Sequence, residues 1–167
     1  MYRPSLERLY LMTNDKLMFF QFEADFVNNL RCIPMQVRYK LDTCGVKLKL
    51  HHWHQFSQAE REELVNQPCE TPDQIQIYKQ NLQNLVLQHT DEPAKELELD
   101  PHPPWLNPEV VPQQLEEKAS DFKVTITLEQ WQQLSPLQRF ALIKLSRPSH
   151  ENKNFYPALK EFGIIEP

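Results

Sequence analysis

Glycine is nearly missing from this sequence: Gly45 and Gly163 are the only two among 167 residues. Loops that cradle phosphates, and dinucleotide-binding fingerprints, need several glycines so that the backbone can approach the ligand. Each of the two follows a helical pattern, as expected for a C-terminal helix cap with positive φ. The scarcity of glycine therefore excludes a nucleotide-binding loop.

Long apolar runs and cysteine pairs are missing too. No segment approaches the roughly 18 apolar residues that cross a bilayer, and the first residues lack a clean hydrophobic signal region. Cys32, Cys44 and Cys69 form an odd set at wide spacing, which fits buried thiols in a reducing compartment better than a disulfide framework. We expect a soluble, cytoplasmic protein with free thiols and no membrane partner.

The charge is unevenly distributed. The net charge is −5, and residues 60–118 carry 13 acidic side chains against 4 basic ones. Such a segment repels a phosphate backbone, so nucleic acid is not an expected partner. With 40% hydrophobic and 25% charged residues, the composition is that of an ordinary folded protein, and the length fits one domain over residues 1–167.

Local signals predict helices. In CETPDQIQIYKQNLQNLVLQH, Thr71 is a suitable N-cap, Pro72 suits the first helical position and Gln74 completes a capping box. The predicted buried stripe of this helix is Ile75, Tyr78, Leu82 and Leu85. A second helix should begin near Pro34, with Val37, Leu41 and Cys44 on one face.

Five prolines between Asp100 and Pro112 rule out regular helix or central strand there. The segment is predicted to be an extended connector. Trp105 lies within it, and a large aromatic in such a loop is expected to anchor the connector onto the core.

An internal repeat relates residues 46–65 to residues 124–143 at an offset of 78, with seven identities in 20 positions. Each copy predicts a short helix carrying a tryptophan, followed by a serine N-cap with its capping-box partner. The stretches KLKL and TITL could also pair as two very short strands. We predict an all-α, mainly helical, compact single-domain bundle, with an internal duplication of a Trp-containing helical corner and a proline-rich connector. Trp53 and Trp131 should lie in its core.

Candidate chemical groups are few. His51, His52 and His54 offer imidazoles for zinc or copper, but the second copy has Glu129, Gln130 and Gln132 there, as expected of exposed positions without ligand duty. No metal site is predicted, although the three cysteines could hold a cluster as a minor alternative. Because no nucleophile sits in a strand-turn-helix elbow, no enzyme is predicted.

The densest polar segment is LSRPSHENKNFYPALKEFG, where Arg147, His150, Glu151, Asn152, Lys153 and Asn154 lie within eight positions. One interpretation is a polar loop whose side chains cap two helices. The other is a recognition surface that directs planar donors toward a partner carboxylate or a phosphate-bearing cofactor.

Several segments together closely resemble the nitrate reductase-associated protein family of cyanobacteria. They are FFQFEADFVNNLRCIPMQVRYKLDTCGVKL, PCETPDQIQIY, DPHPPW and LSPLQRFALIKLSRPSHENKNFYPALKEFG. The resemblance runs from about Phe19 to Gly163 and includes His102 in DPHPPW. The first 18 residues fall outside it and are predicted to be a frayed end.

The resemblance implies an accessory or maturation factor for assimilatory nitrate reductase, a cytoplasmic molybdopterin and iron-sulfur enzyme. It implies no catalysis and no cofactor of its own, and it brings no established binding residues. We hypothesise that the partner-binding residues are Arg147, His150, Glu151, Asn152, Asn154 and His102. A metal or iron-sulfur carrier is the alternative, and a small enzyme acting on the molybdopterin cofactor is a third. The oligomeric state stays open.

Overall fold

The computed structural model describes residues 19–148 and 152–166, which form two compact units that divide after Leu99. Both units are built mainly from helices, so the predicted helical class is confirmed. Within the described ranges, no helix is long and apolar enough to cross a membrane. The single domain stays a prediction.

The first unit contains five α-helices in its described part. A 3-10 helix, Gln21–Glu23, precedes them; they are α1 Ala24–Val27, α2 Met35–Cys44, α3 Leu50–Gln55, α4 Gln58–Asn66 and α5 Pro72–Thr90. Their apolar faces meet in one core, to which Val37, Trp53, Tyr78 and Leu82 contribute fully buried side chains. The predicted face of α2 is confirmed, since Val37, Leu41 and Cys44 are all buried.

Helix α5 begins as the sequence predicts. Thr71 Oγ1 accepts a hydrogen bond from the Gln74 amide at 3.2 Å, and Pro72 occupies the first turn. The predicted stripe is partly wrong, because Val86 is buried while Leu85 is half-buried. Tyr78, Leu82 and Val86 follow each other at four-residue steps, which places them on one line along the helix.

The pairing left open for the KLKL and TITL stretches is not formed, because TITL is not a strand. Strand β1, Val46–Lys47, instead pairs antiparallel with β2, Lys95–Glu96, with Val46 opposite Glu96. The left-handed φ of 78° at Gly45 turns the chain out of α2, and the Gly45 carbonyl accepts a hydrogen bond from the Leu97 amide at 2.8 Å. The turn therefore directs β1 toward the segment that follows α5.

The two glycines differ in their surroundings, so their substitutions should differ too. Both have positive φ, but a Cβ at Gly45 would lie 3.0 Å from the Leu97 carbonyl oxygen, whereas one at Gly163 meets nothing within 4 Å. We expect Gly45→Ala to lower the free energy of unfolding by about 3 kcal/mol, because φ strain and the close contact add. Gly163→Ala should lower it by only about 1 kcal/mol, because φ strain acts there alone. Urea unfolding measures both losses of stability, and equal losses would contradict the close contact at Gly45.

The second unit is arranged around one helix. Its elements are 3-10 helices at Pro104–Leu106 and Asn152–Asn154, and α6 Gln113–Ser120, α7 Leu128–Gln133, α8 Pro136–Ser146 and α9 Phe155–Glu161. Most of α8 is buried, because the first 3-10 helix, α6, α9 and the second 3-10 helix all pack against it. Helix α8 is therefore the core element of this unit.

Trp105 anchors the proline-rich connector, as predicted. Its ring packs edge-on against Phe140 of α8, with ring centroids 5.0 Å apart, and its carbonyl accepts a hydrogen bond from Arg139 at 3.3 Å. The connector is less extended than predicted, since it contains a bend at residues 101–102, the short 3-10 helix with the tryptophan and a turn at residues 108–109.

The two predicted corners, α3–α4 and α7–α8, share one local plan. Trp53 and Trp131 are fully buried, and the serines Ser57 and Ser135 cap the second helix of each corner. The correspondence extends beyond the 20 aligned residues, since Gly45 and Lys123, also 78 positions apart, both have left-handed φ. That the corners arose by duplication stays a hypothesis.

Candidate functional site

The arginine shared by both corners is structural. Arg139 donates from Nε to the Trp131 carbonyl at 3.0 Å, from Nη2 to the Gln132 carbonyl at 3.1 Å, and from Nη1 to the Trp105 carbonyl. Arg61 makes the corresponding set to the Trp53, His54 and Leu30 carbonyls, at 3.0 to 3.2 Å. Each guanidinium fixes three backbone carbonyls. Sequence analysis found the arginine only as an identity between the two copies and did not predict this role.

The histidine cluster also has structural roles. His52 is buried, and its Nδ1 accepts a hydrogen bond from the Lys49 amide at 3.1 Å, which is one half of a capping box. His54 Nε2 lies 3.0 Å from the Arg31 carbonyl. The expectation that all three rings are exposed is wrong for His52. Gln130 is the equivalent residue of the second corner, and it has the same structural role. Its Oε1 accepts a hydrogen bond from the Thr127 amide at 3.0 Å.

Lys40 is a buried cation that was not predicted from the sequence. Its ammonium donates to the Val65 carbonyl at 2.7 Å and to the Gln67 carbonyl at 2.6 Å. These carbonyls belong to the C-terminal end of α4, where a cation is electrostatically favoured. Burial lowers the pKa of Lys40 to about 8. The contacts indicate that Lys40 joins α2 to α4 and has no exposed chemical role.

The three cysteines are free thiols in different surroundings. Cys44 and Cys69 are buried, whereas Cys32 is partly accessible. Burial raises the pKa of Cys44 to about 12 and that of Cys69 to about 11. Both thiols are therefore protonated near neutral pH, and a protonated, buried thiol is a poor nucleophile.

We expect a thiol-specific reagent at pH 8 to modify one cysteine rapidly in the folded protein and all three in denaturant. The reagent reacts with the thiolate, and the raised pKa values keep Cys44 and Cys69 protonated until the pH approaches 11. The Cys32→Ser variant should lose the rapid phase. More than one rapid thiol in the folded wild-type protein would contradict the burial of this pair.

Arg147 follows the end of α8, and Asn152 and Asn154 precede α9. Arg147 is exposed and directly follows the last residue of α8, while Asn152 and Asn154 are half-buried in the 3-10 helix before α9. His150 and Glu151 lie outside the described residues. The described part of the polar segment thus offers one exposed arginine at the end of the most buried helix.

His102 lies on the connector, in a different place. It is exposed and lines a groove of about 440 Å³ together with Pro101, Pro103, Leu106, Asn107 and Pro108. The connector packs against Arg139 and Phe140 near the start of α8, whereas Arg147 follows its end, about 10 Å further along the axis at 1.5 Å per residue. The described members of the predicted set thus lie on two different elements, the connector and the segment that begins after α8.

The groove belongs to a larger apolar surface, which we call the connector face and define as residues 100–110. Leu106 and Val110 are 53% and 58% exposed, and two exposed carboxylates, those of Asp100 and Glu109, flank the groove-lining residues in the sequence. Prolines hold such a surface in one conformation, which lowers the entropy lost on binding. Sequence analysis gave this segment an anchoring role and one predicted binding residue, His102, but missed the exposure of Leu106 and Val110.

Comparison with known proteins places the chain in a family. Residues 19–162 match the family described as conserved nitrate reductase-associated protein. This chain belongs to that family. The match confirms the resemblance over nearly the same range, and the family description associates the chain with nitrate reductase. No curated protein and no solved structure matches the chain significantly.

Proposed function

We propose that this member of the nitrate reductase-associated family is a non-catalytic accessory factor of the cytoplasm that binds assimilatory nitrate reductase and is needed for its activity. The observation that carries the proposal is the family match over residues 19–162. Its mechanism is preferential binding: a factor with higher affinity for one state of the enzyme stabilises that state. Binding an immature or cofactor-loading form would raise the yield of active enzyme.

The connector face supports a binding role. It combines exposed apolar side chains, a proline-lined groove and two flanking carboxylates. Buried apolar area supplies the binding energy of such a surface, while charges at its rim mainly set orientation and association rate. The face therefore suits a client segment with apolar residues and nearby lysine or arginine. Arg147 supplies a separate donor of opposite charge.

The burial of two of the three thiols argues against the alternative function, a metal or iron-sulfur carrier. Cys44 and Cys69 are buried with raised pKa values, so a carrier would have to open the core of the first unit before it could bind or release a cluster. Within the described part of the chain, no three histidine, cysteine or acidic side chains converge into a group suited to a metal ion.

A pull-down tests the proposal with nitrate reductase in apo and cofactor-loaded forms. The double variant Leu106→Glu with Val110→Glu places two charges on the connector face. The control Leu128→Glu changes an apolar residue of the same unit with comparable exposure, 44%. We expect the wild-type protein and the control to capture the enzyme, the apo form preferentially, and the double variant to lose at least about 90% of that capture, a tenfold weakening.

Two further variants separate the predicted residues. Arg147→Ala should weaken capture if the end of α8 contributes, and His102→Ala should do so if the groove contributes. Failure of the folded wild-type protein to capture either form of the enzyme would overturn the binding role. Bound iron or zinc in the purified protein, measured by elemental analysis, would favour the carrier.

A further inference from the structure

The outer face of α5 is unusual for a surface exposed to water. The exposed positions after Pro72 form one helical stripe, which we call the α5 stripe: Asp73, Gln76, Ile77, Gln80, Asn81, Asn84, Leu87 and Gln88. After Asp73 the stripe has no charged residue over three turns, although a quarter of the chain is charged. Depletion of charge is typical of the centre of a protein interface, so this composition favours a partner over water.

Six of the eight residues of the α5 stripe form pairs of similar side chains about the level of Leu82. Gln76 and Gln88 lie six residues on either side of that position, Ile77 and Leu87 lie five, and Gln80 and Asn84 lie two. A two-fold axis that passes the exposed face of α5, perpendicular to the helix at the level of Leu82, would therefore bring like side chains of two copies together. A carboxamide is both donor and acceptor and can pair with its own kind, whereas like charges repel. The axis brings like charges together only at the two ends of the helix, where Asp73 would lie opposite Asp91 of the second copy.

We infer that two copies of this chain associate through α5, running antiparallel about a two-fold axis at Leu82, with Ile77 of one copy against Leu87 of the other. Ile77 and Leu87 are 53% and 48% exposed, so each has apolar surface to bury. A groove of about 220 Å³ beside the stripe, lined by Asn81, Asn84, Leu85 and Gln88 and by residues of α4, can receive side chains of the second copy.

The size of the α5 stripe sets the strength of this dimer. A helix of 19 residues is about 28 Å long, and one helix pair buries less than the roughly 1,600 Å² of a standard stable interface. The association is therefore weak and depends on protein concentration. This inference is independent of the proposed function, because the α5 stripe lies in the first unit and the connector face in the second.

Complementary charges test the pairing. One variant combines Ile77→Glu with Leu87→Glu, and another combines Ile77→Lys with Leu87→Lys. By sedimentation at a concentration where the wild-type protein is half dimeric, each variant alone should be monomeric and their equimolar mixture dimeric. The control Leu50→Glu changes an equally exposed leucine of the same unit, 48%, and should dimerise like the wild type. Circular dichroism checks that the variants are folded.

A cross-link tests the register. In a Cys32→Ser background, Asn81→Cys puts the two introduced thiols about 3 Å apart along the axis, whereas Gln76→Cys separates them by about 18 Å, at 1.5 Å per residue. We expect a disulfide dimer from the first variant and at least a tenfold lower yield from the second. Equal yields, a monomeric wild-type protein or dimerisation unaffected by the charged variants would overturn the inference. A monomer whose charged α5 variants no longer capture the reductase would assign the stripe to the client instead.

Discussion

Replacing Trp131 with alanine is expected to lower the free energy of unfolding of the second unit by about 4 kcal/mol. The indole is fully buried against the helices of this unit, and its Nε1 donates to the Asn107 carbonyl at 2.9 Å. The substitution removes the packing of a large ring and leaves a carbonyl without its donor. Because whole domains are stable by only 5 to 15 kcal/mol, this change should bring the unit close to unfolding.

Urea unfolding followed by circular dichroism measures the effect, since fluorescence would change with the loss of the indole itself. Trp105→Ala is the matched control, because Trp105 belongs to the same unit but is only half-buried against Phe140. We expect it to cost about 2 kcal/mol. A Trp131→Ala variant no less stable than Trp105→Ala would contradict the central place of Trp131 in the core.

Replacing Arg139 with lysine should lower the free energy of unfolding by about 3 kcal/mol although the charge is kept. The buried guanidinium donates to the carbonyls of Trp105, Trp131 and Gln132 at once. It also lies over the ring of Trp131, 5.6 Å from the ring centroid. A lysine ammonium presents its donors from one point and cannot satisfy three separated carbonyls.

Arg61→Lys provides the comparison in the first unit. Arg61 donates to three backbone carbonyls in the same way but is only half-buried. Water can therefore hydrogen-bond to some of the carbonyls that a lysine would leave without a donor. We expect about half the loss seen for Arg139→Lys, near 1.5 kcal/mol. Urea unfolding of the two variants side by side measures the difference. A larger loss for Arg61→Lys would show that burial does not control the contribution of this arginine.

The sequence predicted the features that depend on local rules. Capping boxes at Thr71 and Ser57, the prolines at helix starts and the left-handed glycines need only a few neighbouring residues, and the structure confirms them. The pairing of β1 with β2 was not predictable in this way, because strands of two residues have no periodicity. The burial of His52 was missed because histidine is not a residue that capping-box rules name.

The surfaces were harder to predict than the core. Residues 147–154 drew attention because polar groups are dense there, yet density does not reveal which groups point outward. Leu106, Val110, Ile77 and Leu87 look like core residues in a linear sequence, and only the packing of the neighbouring helices leaves them exposed. Glutamines and asparagines such as those of α5 are ordinary residues for a solvent-exposed helix face. Their symmetry becomes visible only when the exposed face is known.

The indole hydrogen bonds of the two corners have a consequence for observing this protein's motions. Trp53 Nε1 donates to the Leu30 carbonyl at 2.7 Å inside the first unit, and Trp131 Nε1 donates to the Asn107 carbonyl inside the second. Each indole proton exchanges with solvent only when its own unit opens. Two resonances in a single nuclear magnetic resonance spectrum would therefore follow the opening of the two units separately, so a bound client would mark its docking unit by slowing one exchange rate and leaving the other unchanged.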